Sequence, residues 1–181
     1  GAAARLRIHE ADGTPDATAN ASAFHYGGTK GGAKLMIKSG LTKVYIDEFR
    51  GPVGSTVDTL EMGISAELVA TTDIVLMTRL MPGVATYATG ALSGDDAAYT
   101  EMRIGTKAIT YESVALIFPL IEDATEWGVF NIYSALNDTG VEWAVSRKEL
   151  GFTPISFVGY EITSRAATDT LGCYWKTKQT T

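Results

Sequence analysis

Residue types able to do chemistry are sparse in this sequence, and they are densest at residues 25–40, HYGGTKGGAKLMIKSG. Four glycines and two lysines stand there in front of an apolar run, the raw material of a loop that cradles phosphate through backbone N–H groups. The phosphate-loop pattern G-x-x-x-x-G-K-[ST] needs Lys directly after the second glycine and a helix behind it. Gly27 and Gly32 have that separation, but Ala33 holds the lysine's place and Lys34 comes one residue late. The alternation that follows is that of a strand, whose start lacks the converging N–H groups of a helix N-terminus. The stretch reads as glycine hinges ahead of a strand, with Lys30, Lys34 and Lys38 as polar decoration or subunit contacts.

The other chemical groups do not assemble by spacing. His9 and His25, the only histidines, fall in an irregular lead-in with no neighbouring Cys or carboxylate at metal-ligand spacing. Asp95-Asp96 and Glu122-Asp123 are acid pairs in polar loops, where solvation is their ordinary role. Asn20-Ala-Ser and Asn137-Asp-Thr match the glycosylation pattern, which acts only along a secretory route. The single cysteine, Cys173, rules out an intrachain disulfide, suits a reducing cytoplasm, and reads as a small buried hydrophobe. No Ser/His/Asp set can be built. The expectation is a protein that is not an enzyme, with no cofactor and no metal.

Composition narrows the class further. With 181 residues, 45% of them apolar and 20% charged, the chain suits one domain with a real core. A formal charge of −6 argues against a duplex-binding protein, which needs a basic face to displace counterions. No apolar run approaches the length of a membrane span, and the first residues contain no apolar stretch of the secretory type.

The elements that must position any site are mostly strands. Residues 1–32 read as an N-terminal arm and residues 33–181 as one domain. AKLMIKS and LTKVYID alternate and are joined, on this reading, by a tight turn at Ser39-Gly40. Residues 47–57 read as a Gly-Pro loop reaching away from the body. DTLEMGISAELVA alternates cleanly, with Leu60, Met62, Ile64, Ala66 and Leu68 on one face and Thr59, Glu61, Ser65 and Glu67 on the other. TTDIVLMTRLMPG is the one helix, capped by Thr71 or Thr72, favoured at its start by Asp73 and stopped by Pro82-Gly83. Residues 83–100 read as a loop excursion of small residues. EMRIGTKAITYESVALIFPL, WGVFNIYS, VEWAVSRKE, PISFVGYEITS and GCYWKTK continue the strand pattern. The fold class is therefore mostly β, a sandwich or barrel with one flanking α-helix.

In order along the chain, GGTKGGAKLMI, KVYIDEFRGPVG, DTLEMGISAELVA and TTDIVLMTRLM, followed by VALIFPL, FTPISFVGYEI and GCYWKT, resemble the tail tube (major tail) proteins of long-tailed bacteriophages. The likeness runs through most of the chain, leaving out the arm and residues 83–100, and it lies in the ordered set rather than in one motif. It implies a structural virion protein of the phage tail, assembled in the host cytoplasm. Six copies would form a ring whose sheets join into a continuous inner β-barrel, and stacked rings would form the tube that delivers the genome. The implied partners are the protein itself, a tape-measure protein, tail terminator and distal tail or baseplate proteins, a sheath where the tail contracts, and DNA in transit; no membrane is involved.

On that resemblance, Thr59, Glu61, Ser65 and Glu67 would face the lumen. Six copies at −6 sum to −36 per ring by multiplication, an acidic wall that lets DNA slide. Asp47, Glu48, Phe49, Arg50, Gly51, Pro52 and Val53 in the loop, with Ile74, Met77 and Met81 on the helix, would make subunit and ring contacts. The contrasting expectation is a β-sandwich binding module, carbohydrate-binding or capsid-decorating, in which Trp127, Trp143, Tyr160 and Trp175 stack on sugar rings.

Overall fold

In the computed structural model, the described residues are 7–10, 26, 29–48, 50–69, 74–91, 98–122, 125–141 and 152–178. They form β1 (Arg7–Glu10), β2 (Thr29–Tyr45), β3 (Pro52–Val69), α1 (Ile74–Leu80), β4 (Ala85–Ala91), β5 (Ala98–Ile104), β6 (Glu112–Pro119), β7 (Glu126–Asn137), β8 (Phe152–Gly159) and β9 (Gly172–Lys178). The described residues are mostly β with one short helix. Every strand pair among these is antiparallel. The main sheet runs β1-β6-β7-β8-β3-β2, with β9 also on β7, and β4-β5 make a separate two-stranded sheet.

β7 is the axis of the main sheet, and its apolar run WGVFNIYSAL is almost wholly buried. One edge pairs with β6 along its length. The other edge is shared: β8 takes Ala135, Leu136 and Asn137, and β9 takes residues 126–132. The sheet therefore forks. On one side of the fork β8 bridges β7 to β3; on the other, β9 follows β7 while β3 continues with β2 alone. Two glycines accommodate the crowding there. A Cβ on Gly159 would lie 2.9 Å from Ile132 Cγ2, and one on Gly172 would run into the Asn131 carbonyl oxygen.

The larger core cluster lies on one face of this sheet and gathers Ile64, Leu68, Phe130, Ile132, Ile155 and Phe157, while Ala115, Ile117, Trp127 and Val129 form a second cluster on the other face of β6 and β7. α1 completes the larger cluster: Leu76 and Leu80 enter it, while the helix also packs on β4 and β5. The helix stops where expected, before Pro82, and Gly83 takes the left-handed φ of 77° that glycine allows. Thr71, Thr72 and Asp73 lie outside the described residues.

Several expectations are corrected. Ser39-Gly40 is no turn; β2 runs straight through it. Asp58 is an extra residue on β3 between the pairs Gly40–Thr59 and Leu41–Val57. Gly40 leaves room beside this bulge, since a Cβ at position 40 would meet Thr59 Oγ1 and force that side chain to turn. The long loop of residues 47–57 shrinks to residues 46–51, because Pro52 already pairs with Tyr45. Residues 1–32 are not all lead-in: β1 pairs with β6, Tyr26 is fully buried in the core, and β2 begins at Thr29. Residues 83–100 hold β4 and the start of β5, which pair antiparallel from Ala85–Ile104 to Ala91–Ala98. The long EMRIGTK run divides at residues 105–111 into β5 and β6. VEWAVSRKE lies, after Val141, outside the described residues.

Candidate assembly surface

From Pro52 to Met62, β3 pairs with β2 and with no other described strand. These eleven residues make a two-stranded ribbon reaching roughly 35 Å at about 3.3 Å per residue. An isolated pair of strands is marginal in water, since neither face is covered. Its length comes from β2 running unbroken through Ser39-Gly40, with no Pro from Ala33 to Tyr45.

β2 is regular from Ala33 onward, so Leu35, Ile37, Leu41, Lys43 and Tyr45 share one face. Opposite them stand Ile64, Met62 and Val57. This is the core face carried outward. Leu68 and Ile64 are 1% exposed and Met62 is 7% exposed, whereas Leu60 is 43%, Ile37 61%, Leu41 62% and Val57 62% exposed. An apolar stripe that begins inside the core thus runs into solvent. Leu60 departs from the expected buried set because the main sheet's cover ends before it.

The opposite face holds Thr59, Glu61, Ser65 and Glu67 together, as the alternation predicted. It also holds Lys34 and Lys38, and Lys30 pairs across from Glu67. Lys38 Nζ lies 3.7 Å from Glu61 Oε2 with both side chains exposed, a pair of little energetic weight. Lys30 Nζ sits 4.2 Å from the centre of the Phe152 ring. Three lysines against two glutamates make this face mixed in sign, so the chain's acidity does not reside on it. Beside them an open cleft of about 350 Å³ is lined by Lys30, Gly31, Gly32, Lys34, Ser65 and Glu67, among others. Gly31 and Gly32 both have positive φ, and they form a bulge on β2 where two residues pass between the pairs to Glu67 and Ala66. Glu67 lines the cleft together with Lys30 and Lys34.

The residues expected at contacts separate into two groups. Asp47, Glu48, Arg50, Pro52 and Val53 are exposed at the ribbon tip beside half-buried Gly51, and Phe49 lies outside the described residues. Ile74 and Met81 on the helix are half-buried, but Met77 is 2% exposed and is covered by its own chain. Met77 is therefore not a subunit contact in this conformation; α1 lies between two sheets, and that packing uses the face it occupies.

Two polar clusters escaped sequence reasoning. Asn137, read only as a glycosylation match, is buried and uses both ends of its amide. Nδ2 donates to the Leu80 carbonyl at 2.8 Å, and Oδ1 accepts from the Ser156 N–H at 2.9 Å and from Thr139 Oγ1 at 2.8 Å. Its only signal in sequence is its place at the end of the longest apolar strand. The second cluster pins the loop between β8 and β9. Tyr133 donates its hydroxyl to Asp169 Oδ1 at 2.7 Å, Arg165 donates to both the side chain and the carbonyl of Asp169, and the guanidinium stacks 3.9 Å from the Tyr133 ring centre. Burial, then its bonds to Cys173 and Asp169, push the Tyr133 hydroxyl well above its usual pKa. The bonds from Tyr133 and Arg165 hold the Asp169 carboxyl below the usual carboxylate range. Cys173 is half-buried rather than enclosed, and burial raises its thiol, the opposite of an activated nucleophile.

The aromatic residues of the binding-module reading are dispersed. Trp127 is 7% exposed, Trp175 is half-buried against the same apolar cluster, Trp143 lies outside the described residues, and Tyr160 alone is open. Among the described residues no group of three or more His, Cys, Asp or Glu is placed to hold a metal. No helix among them is long and apolar enough to cross a membrane. No family model and no curated protein matches this chain.

Proposed function

We propose that the protein is a structural, self-assembling subunit of a phage tail tube, a β-sandwich with one flanking helix that forms hexameric rings stacked into a conduit for the genome. One observation carries the reading. The core's apolar face continues uncovered along the β2–β3 ribbon, and copies of the same chain are the natural cover for it. Edge strands of this length ordinarily invite aggregation; a subunit built to assemble turns that tendency to use. The ordered resemblance of the sequence supplies the specific assembly, and the tape-measure, terminator and distal tail proteins enter with it. The ribbon tip, with Asp47, Glu48 and Arg50, would reach the next ring.

In this reading the mixed-sign face of β3 lines the lumen, with Lys38 paired to Glu61 rather than to phosphate. The protein acts as a wall and not as an enzyme. Electron microscopy of the concentrated protein, with and without tube fragments as seeds, should show stacked rings or tubes. A chain that stays monomeric under both conditions overturns the proposal.

The exposed pair Tyr111 and Tyr160, with ring centres 5.1 Å apart, is the one feature that favours a sugar-binding module. The rings meet at 63° rather than forming one platform. A saturable hit in a glycan screen, lost in Tyr160→Ala, would move the assignment to that class.

A further inference from the structure

β3 is antiparallel to β8, and β8 is antiparallel to β7, so β3 and β7 run in the same direction. The start of β7 and the start of β3 therefore lie at the same end of the main sheet. They lie on opposite sides of it, because β6-β7 and β3-β2 flank β8 in the strand order. The β6–β7 turn and the β2–β3 ribbon are thus two different patches at one level of the molecule. That is the arrangement a head-to-tail contact around a ring requires, since copies with the same orientation bring one copy's left side to its neighbour's right.

The two patches also match in chemistry. Ile121 in the turn projects wholly into solvent, at 104% relative exposure. Around it the sequence from Leu120 to Glu126 holds Glu122, Asp123 and Glu126 and no basic residue. The ribbon's apolar face has the reverse character: among Leu35, Ile37, Leu41, Lys43 and Tyr45, with Met62, Leu60 and Val57 across from them, the one charge is that of Lys43 and there is no acid. The acidic turn of a second copy supplies the charge that Lys43 would attract.

Resting on the tail-tube reading, we infer that the β6–β7 turn of one copy docks on the apolar face of the neighbour's ribbon. Ile121 packs against Ile37 and Leu41, and Glu122 faces Lys43. The contact buries the most exposed part of the ribbon's stripe and sets the order of copies around the ring. It is heterologous, so each copy offers one turn and one ribbon.

Two variants test it by sedimentation: Ile121→Asp, which breaks only the turn, and Leu41→Asp, which breaks only the ribbon. Both positions are exposed, and circular dichroism checks that each variant folds. Each alone should stay monomeric at a concentration where the parent protein assembles. Mixed one to one, they should form a 1:1 heterodimer that grows no further, because one intact turn meets one intact ribbon. In a second arm, Glu122→Lys and Lys43→Glu should each raise the concentration needed for assembly, and their combination should recover roughly tenfold of the loss, within the coupling of contacting pairs. A mixture that stays monomeric, or a charge swap without recovery, while the parent still forms tubes, overturns this contact and leaves the tube reading standing. A parent that never assembles overturns both.

Discussion

The Asn137 side-chain amide donates to the carbonyl of Leu80 at 2.8 Å, tying the end of the central strand to the last turn of the only described helix. The same amide's oxygen accepts from the Ser156 N–H on β8, so one side chain joins three elements near the fork of the sheet. Replacing Asn137 with Ala leaves a helix-end carbonyl and a strand N–H without this partner. Unfolding in urea should show a loss of about 1–3 kcal/mol, the cost of unmet buried polar groups.

The Tyr133–Asp169–Arg165 cluster should make loop stability depend on acid. Asp169 has a folded pKa below its unfolded value, so its contribution is present above the unfolded pKa of about 3.9 and is lost as pH falls through the folded one. Asp169→Asn should therefore melt earlier than the parent near neutral pH, and the gap should close below about pH 4. A gap that persists unchanged into acid would remove the ionic account. At the alkaline end, Tyr133 should ionise later than the exposed tyrosines in a spectrophotometric titration, since its folded pKa is raised.

Gly172 stands at the fork, where a methyl group would meet the Asn131 carbonyl oxygen, and Met62 Cε lies 3.0 Å from the same position. Gly172→Ala should destabilise by about 1–3 kcal/mol through overpacking against backbone that cannot yield. Chemical denaturation checks the magnitude, and amide exchange should be faster at residues 126–132 of β7, which pair with β9.

Ribbon and core positions should behave oppositely although both are apolar and neighbours on one stripe. Val57→Asp should leave monomer stability within about 0.5 kcal/mol, as for other exposed sites, while suppressing assembly. Ile64→Ala, 1% exposed, should cost about 2–5 kcal/mol in the monomer. Equal stability losses at the two sites would mean that the ribbon is already covered within one chain.

The Gly31-Gly32 bulge is a backbone device. Gly32 has a φ of 93°, so Gly32→Ala should cost about 1–2 kcal/mol of left-handed strain. Adding a nucleoside triphosphate should leave the melting temperature of the parent unchanged, because only a bound ligand shifts it.

How much of the fold is legible in the sequence follows from which interactions are local. Alternation marks β3 residue by residue, since a strand half covered by a core writes period two into its sequence: Met62, Ile64 and Leu68 are buried, and Glu61 and Glu67 are exposed. The helix and its stop at Pro82-Gly83 are equally local. The lysine missing directly after Gly32 is likewise local, and it takes the stretch out of the phosphate-loop pattern.

Tertiary structure decided the rest. Gly40 looks like a turn glycine in sequence and is a bulge glycine in fact, because only its partner Thr59 distinguishes the two roles. Tyr26 joins the core from a stretch with no period of its own, since its burial comes from Phe157 and others far along the chain. Arg165, Asp169 and Tyr133 meet only because β7 and the β8–β9 loop are brought together. By itself the sequence determined which residues alternate, where the helix ends and that charge of both signs is spread along the chain. Which face is covered, where the sheet forks and which apolar stripe is left for a neighbour are decided by contacts between residues distant in sequence, and no local period encodes them.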